Sequence, residues 1–375
     1  MDRQFGSPAD GAGARPLCVA DLRRAARARL APEVWDFVSG GSGTESTLTA
    51  NRAALDGVSV VPRALAGVER SDTAALLPGT PAALPLAVAP MAYQRLLHPE
   101  GELAAAAGAR QARVPFVVST ISSTSLEEIA GVGADLWFQL YWLHDRGRVL
   151  DLIRRAEQVG CRALMVTVDV PVMGRRLRDL RNEFTLPSWI RSANLDPDGP
   201  SVAHERRPDE SAVAVHTRTA FDPTLGWSDL EWIRERTRLP LVVKGILDPR
   251  DADRAVRLGA EAVVVSNHGG RQLDGAPASV TALPGVVEAV DGRGRVLMDS
   301  GIRSGTDILR AVALGADGVL IGRPVLWGLA AAGAEGVTQV LSILRTELEE
   351  ALLLAGCADL ADARTLRSFV SGTRG

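Results

Sequence analysis

Lysine, tyrosine and cysteine are all scarce in this sequence of 375 residues. Of its 42 basic side chains 41 are arginine, and Lys244 is the single lysine. A coding bias toward arginine would replace lysine wherever either cation serves. We therefore expect Lys244 to perform a task that needs a compact charge or an adjustable pKa. Tyr93 and Tyr141 are the two tyrosines, so phenolic hydroxyl groups are equally rare.

Three further scarcities each exclude a class of protein. The three cysteines are far apart and lack metal-ligand spacing, so we expect reduced thiols. No apolar run is long enough to span a bilayer, and no secretory segment is visible, so we expect a cytoplasmic protein without membrane contact. A net charge of −3 gives no support for nucleic-acid binding.

The composition predicts one large globular domain. Hydrophobic residues make up 46% of the chain, which is enough for a substantial core. Residues 1–16 are rich in glycine, alanine and proline and are expected to be disordered. Length alone would suggest two domains, but α/β barrels commonly exceed that rule, so residues 17–375 are predicted to form a single domain.

An alternation of apolar runs and helical segments begins at Pro85 and repeats eight times. Four of the runs follow a glycine that suits a left-handed helix end, at Gly133, Gly160, Gly259 and Gly315. Eight such units favour a closed (β/α)8 TIM barrel over the alternative, an open doubly wound sheet. The predicted strands are PLAVAP (85–90), PFVVST (115–120), LWFQLY (136–141), ALMVTVD (163–169), LPLVVKG (239–245), AVVVSNH (262–268), RVLMDSG (295–301) and GVLIGR (318–323).

The flanking segments are predicted to cap and cover the barrel. Helices are expected over residues 21–30 and 32–37, and a third helix, capped by Thr44, should run to about Leu55. With a small hairpin before residue 81, these form an N-terminal helical cap. Residues 177–227 are polar and irregular, which is typical of a lid-like loop. Residues 325–355 are predicted to be helical.

Polar residues stand at the carboxyl end of nearly every predicted strand. The clearest case is a β-branched run that ends in Ser266-Asn267-His268, followed by two glycines and Arg271. The carboxyl ends of barrel strands meet at one face, where catalytic groups gather. A glycine-rich loop with a surface histidine is the alternative for this stretch alone. Together, the strand ends predict one large polar site.

The last two strands carry the features of a phosphate site. Gly301-Ile302-Arg303-Ser304-Gly305 follows the seventh strand, and Gly322-Arg323 follows the eighth. Glycine amides, a helix N-terminus and arginines at this position of a barrel suit a phosphate. The alternative is two ordinary helix caps with surface arginines.

The order of these motifs carries a resemblance to a known family. From about Leu22 to beyond Trp327 the chain contains APMAYQ, HPEGE, FQLY, TVD followed by GRR, VVKG, SNHGGRQLDG, GIRSG and GRP. On these motifs it resembles the FMN-dependent 2-hydroxy acid oxidase/dehydrogenase family, which includes glycolate oxidase, lactate oxidase and mandelate dehydrogenase. FQLYWL, PVMGRRLRDLRN and SGGSGTE are most similar to the 4-hydroxymandelate oxidase branch.

The resemblance implies FMN as cofactor. The phosphate would lie on Gly301, Arg303, Gly322 and Arg323, with Asp299 nearby. Lys244 would lie near the N1–C2 carbonyl of the ring, where a cation stabilises the charge of reduced flavin. The full implied cofactor set is Pro90, Met91, Ala92, Ser119, Gln139, Thr167, Lys244, Ser266, Asp299, Gly301, Arg303, Gly322 and Arg323.

The resemblance also implies a catalytic set. His268 would be the base, and Asp169 would pair with it and stabilise the imidazolium. Tyr141 would bind the hydroxyl oxygen of the substrate, while Arg176 and Arg271 would grip its carboxylate. Whether the two electrons leave as a carbanion or as a hydride stays open.

Two departures from the family pattern bear on the substrate. Phe37 stands where many members have a tyrosine that contributes to carboxylate binding, and Ile121 stands where the glycolate-type pattern has a bulky tryptophan. The lost bulk leaves room for an aryl group, with Phe37 and Tyr93 as candidate apolar walls. We therefore expect an aromatic (S)-2-hydroxy acid, 4-hydroxymandelate or mandelate. An L-lactate or glycolate-type substrate is the alternative.

The electron acceptor and the assembly are the remaining expectations. Ala92, where related dehydrogenases often have glycine, favours molecular oxygen as acceptor, giving hydrogen peroxide; a dehydrogenase with another acceptor is the alternative. Resemblance suggests a homo-oligomer, a tetramer. A non-redox flavin-binding isomerase and a catalytically silent FMN-binding protein are rival functions, disfavoured because His268, Arg271, Asp169 and Arg176 are all present.

Overall fold

Eight parallel strands close into a barrel, which confirms the predicted fold class. The computed structural model of the protein describes residues 15–195 and 212–370, and the barrel lies within these ranges. Each strand pairs with the next, and the last pairs with the first. The strands are Leu86–Val88, Phe116–Ser119, Leu136–Leu140, Ala163–Thr167, Leu241–Ile246, Ala262–Val265, Arg295–Met298 and Gly318–Ile321.

The strands are buried on both faces because a barrel lies between an inner core and an outer layer of helices. Alternate side chains such as Val117, Trp137 and Met165 form one buried cluster, and their neighbours form a second, larger cluster with the helices. The predicted hairpin is present as strands Ala75–Leu77 and Thr80–Ala82. Its Thr80 Oγ1 accepts a hydrogen bond from Trp137 Nε1 at 2.9 Å, which ties the hairpin to the barrel strands.

The N-terminal cap consists of the three predicted helices, Val19–Arg29, Pro32–Ser39 and Ser46–Asp56. The prediction that Thr44 caps the third helix is wrong. Glu45 occupies the cap position, whereas the Thr44 hydroxyl donates to Asp274 Oδ2 at 2.7 Å. A hydrogen bond to a carboxylate is strong, and this one ties the N-terminal cap to Asp274 in the chain that follows His268.

The remaining helices surround the barrel. The predicted C-terminal helix spans Arg323–Ala355, with a break in helical geometry at Ala332 and Gly333. Within the described ranges, no helix combines the length and apolar character needed to cross a membrane. The other helices are Gly101–Ala112, Leu126–Ala130, Arg146–Gln158, Leu177–Arg181, Ala212–Ala220, Trp227–Arg234, Pro249–Arg257, Ser279–Val290, Gly305–Ala313, Leu360–Arg364 and the 3-10 turn Gln94–Leu96.

Two predicted segments lie partly outside the described residues. Disorder is expected for residues 1–16, of which residues 1–14 lie outside the described residues. The lid is expected over residues 177–227, of which residues 196–211 also lie outside them. The described part of that lid is not all loop, because it contains the helices Leu177–Arg181 and Ala212–Ala220. A short strand that the sequence analysis missed, Val58–Val60, pairs with Ser368–Val370 in an antiparallel arrangement.

The four glycines predicted at helix ends all have a positive φ. Gly160, Gly259 and Gly315 directly follow the C-cap of a helix, whereas Gly133 lies two residues beyond the C-cap Gly131. Their φ angles are 74° for Gly133, 80° for Gly160, 89° for Gly259 and 101° for Gly315. A Cβ atom at Gly160 would meet nothing within 4 Å, whereas at Gly315 it would lie 2.8 Å from Val287 Cγ1. The two positions therefore separate backbone strain from steric overlap.

We expect Gly160→Ala to lower the free energy of unfolding by about 1–2 kcal/mol, from backbone strain alone. Gly315→Ala should cost about 1–3 kcal/mol more, because the added methyl group also overlaps Val287. Urea-induced unfolding of the two variants measures the difference. Equal losses would show that the contact with Val287 relaxes without cost.

Candidate active site

A cavity at the carboxyl ends of the barrel strands gathers most of the predicted site residues. Predicted residues that line it are Phe37, Pro90, Met91, Ala92, Ser119, Ile121, Tyr141, Arg176, Lys244, His268, Arg271, Asp299, Gly301, Arg303, Gly322 and Arg323. Asp169, Ser266 and Gln139 contact lining residues through hydrogen bonds. Thr167 lines a smaller cavity that shares Tyr141 with the first.

His268 stands on a turn that directs its side chain away from the strand. Its φ is 58°, in the left-handed region, and Gly269 and Gly270 follow with φ of 66° and 71°. Ser266 Oγ accepts the His268 N–H at 3.0 Å, and Ser300 Oγ accepts the Gly269 N–H at 2.9 Å. The backbone of the histidine is therefore fixed by hydroxyl groups from two adjacent strand ends.

His268 and Asp169 form a hydrogen-bonded pair, with Nδ1 2.9 Å from Oδ1. Burial would raise the pKa of Asp169, but the charges of His268 and Lys244 outweigh it and hold that pKa below its ordinary value. An ionised Asp169 accepts a hydrogen bond from Nδ1–H, which leaves Nε2 as the unprotonated, basic nitrogen. Gly245, at φ 110°, permits this approach, because a Cβ there would lie 2.6 Å from Asp169 Cβ.

The His268 imidazole is held neutral. Burial lowers its pKa and the nearby Lys244 charge lowers it further, while Asp169 opposes both. The net pKa lies below the ordinary value, so at neutral pH the ring can accept a proton. A neutral histidine whose other nitrogen is bound to a carboxylate has the chemistry of a general base.

Lys244 is buried and fully compensated. Its Nζ lies 3.0 Å from Asp299 Oδ2 and donates to Ser266 Oγ at 3.0 Å. Burial would lower the pKa of Lys244, but Asp299 and Asp169 outweigh it and raise the pKa. Asp299, expected near a phosphate, is thus the counter-ion of Lys244. Lys244 remains a fixed positive charge at any physiological pH.

Four arginines give the cavity a surplus of positive charge. Arg271, Arg303 and Arg323 donate to backbone carbonyls such as Phe37 O and Gly40 O, and Arg176 lies 4.0 Å from the carboxylate of Asp179. Burial and the charge of Arg271 lower the pKa of Arg176 to about 9. Burial also lowers the pKa of Arg303, to about 10. Such a cavity favours anionic ligands.

The four arginines fall into two adjoining groups. Arg303 and Arg323 follow the seventh and eighth strands beside Gly301 and Gly322, where the sequence predicts a phosphate. Arg176 and Arg271 lie over the ring of Phe37, with guanidinium carbons 5.7 and 5.5 Å from its centroid. The cavity can therefore hold two separate anionic groups.

The buried side-chain atoms that lack a partner among the described residues include Gln139 Nε2 and Thr167 Oγ1. The Gln139 carbonyl accepts from Ser119 Oγ and from Thr120 N, both at 3.2 Å, so the amide nitrogen is left to donate elsewhere. Buried donors without partners are costly, so these atoms require a ligand with acceptors. The residues present fit a flavin ring, whose edge carries carbonyl oxygens and ring nitrogens.

The substrate side of the cavity includes residues that sequence reasoning missed. Met173, Thr217 and Phe221 line it, and Phe221 stacks on Tyr141 with centroids 4.4 Å apart. Burial and the charge of Asp169 raise the pKa of Tyr141, so its hydroxyl keeps its proton. No motif pointed to Thr217 and Phe221, because the lid segment 177–227 has little periodicity. Met173 precedes that lid and lies within PVMGRRLRDLRN, a stretch used only for the family resemblance.

Of the two candidate apolar walls, only Phe37 is supported. Phe37 lines the cavity and stacks on Phe184, with centroids 4.6 Å apart. Tyr93 is fully buried, and its hydroxyl lies 3.1 Å from Ser192 Oγ. It is not part of the described cavity wall, so that prediction is wrong. The left-handed φ of 54° at Tyr93 turns the chain after Ala92.

Comparison with known proteins agrees with this geometry. A family model described as FMN-dependent dehydrogenase matches residues 26–368. The chain is 56% identical to 4-hydroxymandelate oxidase from Amycolatopsis orientalis, over 94% of this chain and 98% of that protein. It is 48% identical to L-lactate oxidase from Nostoc sp., over 93% and 97%.

A solved structure of mandelate oxidase with (S)-4-hydroxymandelic acid has a TM-score of 0.92 and 55% sequence identity. The match covers 95% of this chain and 99% of that one. The resemblance, the enzyme class and FMN as cofactor, all predicted from sequence motifs, are thereby confirmed. The chain belongs to the FMN-dependent dehydrogenase family, whose members oxidise 2-hydroxy acids with FMN.

Proposed function

We propose that the protein oxidises an aromatic (S)-2-hydroxy acid, 4-hydroxymandelate or mandelate, to the 2-oxo acid, with oxygen reduced to hydrogen peroxide. The observation that carries the proposal is the His268–Asp169 pair, 2.9 Å apart, beside Arg176 and Arg271 in one cavity. A base and two arginines suit a substrate that carries both a removable proton and a carboxylate. The similarity to 4-hydroxymandelate oxidase supports the aromatic class.

Arg176 and Arg271 bind the substrate carboxylate. Their charges are under-compensated, and a carboxylate between them would relieve the repulsion that helps lower the pKa of Arg176. Phe37 supplies a ring rather than a hydroxyl at this site, so binding depends on the two guanidinium groups. The carboxylate thereby fixes the substrate relative to His268.

His268 Nε2 takes a proton from the substrate, and the Asp169 carboxylate stabilises the imidazolium that results. Tyr141, which stays protonated, donates a hydrogen bond to the hydroxyl oxygen of the substrate. Bound FMN would supply the two-electron acceptor of this oxidation, with oxygen as the final acceptor. Lys244 would supply a permanent positive charge near the flavin ring, and Gln139 Nε2 and Thr167 Oγ1, which lack partners, would donate to its edge.

Arg303, Arg323 and the adjacent Gly301 and Gly322 hold the FMN phosphate. Met91 also belongs to this region, since a Cβ at Gly322 would lie 3.5 Å from its sulfur. The remaining predicted cofactor contacts are Pro90, Ala92, Ser119, Ser266 and Asp299. The aryl group of the substrate lies against Phe37, Ile121, Met173 and Phe221, which line the same cavity.

The alternative substrate class is an alkyl 2-hydroxy acid, favoured by the 48% identity to an L-lactate oxidase.

We expect the protein to act in the cytoplasm as a homo-oligomer, a tetramer. Light scattering of the purified protein measures the subunit number, and a monomer would contradict that expectation.

The proposal is tested by anaerobic mixing of the FMN-loaded protein with (S)-4-hydroxymandelate, (S)-mandelate and L-lactate in separate experiments. We expect the aryl acids to bleach the flavin absorbance fastest, and air to restore it quickly. Faster bleaching by lactate would contradict the aromatic substrate. Bleaching that air does not reverse would contradict oxygen as the acceptor.

His268→Ala should slow flavin reduction by about 10²–10⁴-fold, because the variant lacks the general base. FMN should stay bound, since the phosphate and ring contacts lie on other residues. Stopped-flow absorbance measures the reduction, and the absorbance ratio at flavin and protein wavelengths measures the bound cofactor. An unchanged reduction rate would refute the base assignment.

The rate of flavin reduction should rise with pH to a plateau. The midpoint of the rise should lie below about 6.5, the ordinary histidine pKa. The sign follows because the neutral ring is the base and burial lowers its pKa. Asp169→Asn removes the charge that opposes this shift, so the midpoint should move to still lower pH while the plateau falls. A midpoint above 7 in the wild type would contradict the neutral resting histidine.

Phe37→Tyr should place a hydroxyl beside Arg176 and Arg271 and raise kcat/KM for lactate relative to mandelate by about 10-fold. Phe184→Tyr is the matched control, because Phe184 stacks on Phe37 but is not among the residues lining the cavity. The control should leave the ratio unchanged. An unchanged ratio in both variants would remove Phe37 from the specificity argument.

A further inference from the structure

The turn that carries His268 requires support from outside itself. Three successive residues, His268, Gly269 and Gly270, adopt the left-handed conformation. A histidine rarely does so, because its Cβ approaches the following carbonyl oxygen. Such a conformation persists only where surrounding contacts over-determine it. We therefore expect hydrogen bonds from neighbouring side chains to hold this turn in place.

Asn267 supplies that support with every polar atom of its side chain. Its Oδ1 accepts from Gly270 N at 3.0 Å, which closes the turn around His268. The same oxygen accepts from Asn51 Nδ2 at 2.9 Å. Its Nδ2 donates to Asn51 Oδ1 at 2.7 Å and to Pro277 O at 3.0 Å. Asn267 thus has its orientation set by a reciprocal amide pair with Asn51.

Asn51 belongs to the cap helix Ser46–Asp56, outside the barrel. It is buried, 2% exposed, and it is not among the residues that line the active-site cavity. Its Oδ1 also accepts from Ser279 N at 3.3 Å, so it binds the chain on both sides of the segment that follows the turn. It contacts the catalytic turn without reaching the space for substrate.

We infer that Asn51 is a positioning residue that holds the His268 turn in its catalytic conformation. The inference rests on the proposed role of His268 as the base. The amide is needed because it offers a donor and an acceptor on two separate atoms, as the reciprocal pair with Asn267 requires. Aspartate keeps the acceptor and loses the donor, and leucine loses both.

The cap helix stays docked without the Asn51 side chain. Arg52, the next residue, donates to Asp307 Oδ2 at 2.7 Å and also to Gly301 O. Arg271 is likewise held independently, since its Nη1 donates to Phe37 O and Gly40 O. Loss of the amide pair should therefore displace His268 while leaving the carboxylate site in place.

The test compares Asn51→Asp and Asn51→Leu with Thr47→Val. Thr47 lies one turn earlier on the same helix, and its hydroxyl binds the far end of the same segment, at Gly275 N and Ala276 O. Three quantities are measured for each FMN-loaded variant: the limiting rate of anaerobic flavin reduction by (S)-mandelate, the substrate Kd from the same titration, and the Tm.

Both Asn51 variants should lower the limiting rate by about 10- to 100-fold, as expected for a misplaced catalytic group, with leucine the more severe. Their substrate Kd should stay within about threefold of the wild-type value, and Thr47→Val should keep both its limiting rate and its substrate Kd within about threefold of wild type. If leucine does not fold, the near-isosteric aspartate variant decides.

A limiting rate that falls equally in Asn51→Asp and Thr47→Val at similar Tm loss would overturn the inference, because it would indicate a general loss of stability. Unchanged rates in both Asn51 variants would overturn it as well. Failure of the wild type to be reduced by any 2-hydroxy acid would instead refute the proposed function.

Discussion

The surplus of buried positive charge at one end of the barrel is the constraint on which the site depends. Arg176, Arg271, Arg303 and Arg323 are partly buried in the cavity wall, and the described contacts pair them mainly with backbone carbonyls. Burial depresses the pKa of each of them. A fold tolerates such a cluster where anionic ligands complete it. A cofactor phosphate and a substrate carboxylate supply two such anions.

Beside this surplus lies a compensated chain of charges. His268 contacts Asp169, and Lys244 contacts Asp299, with Ser266 joining the lysine to the backbone of the histidine. Each carboxylate fixes the protonation of its partner, so the base is neutral and the lysine is charged. The position of Lys244 explains why one lysine persists in an arginine-rich chain, because a compact ammonium group fits between the Asp299 carboxylate and the Ser266 hydroxyl.

The strands could be predicted from local apolar patterns, whereas the pairing of His268 with Asp169 was implied by the family resemblance. The contacts that failed or were missed depend on tertiary structure. Thr44 has the chemistry of a helix cap, but the distant Asp274 takes its hydroxyl. Tyr93 is near the cavity in sequence, yet its backbone turns it into the core. Phe221 reaches the site from the lid segment 177–227, whose sequence has little of the hydrophobic periodicity from which helices and strands are predicted.

The most direct test of the charge argument compares the binding of FMN and riboflavin, which differ by the phosphate alone, to the flavin-free protein. We predict that riboflavin binds at least roughly 100-fold more weakly than FMN. It also predicts that the difference shrinks in Arg303→Leu, because that variant removes part of the phosphate site. Equal affinity for the two flavins in the wild type would contradict a phosphate site at Arg303 and Arg323, and with it the claim that ligand anions balance the buried arginines.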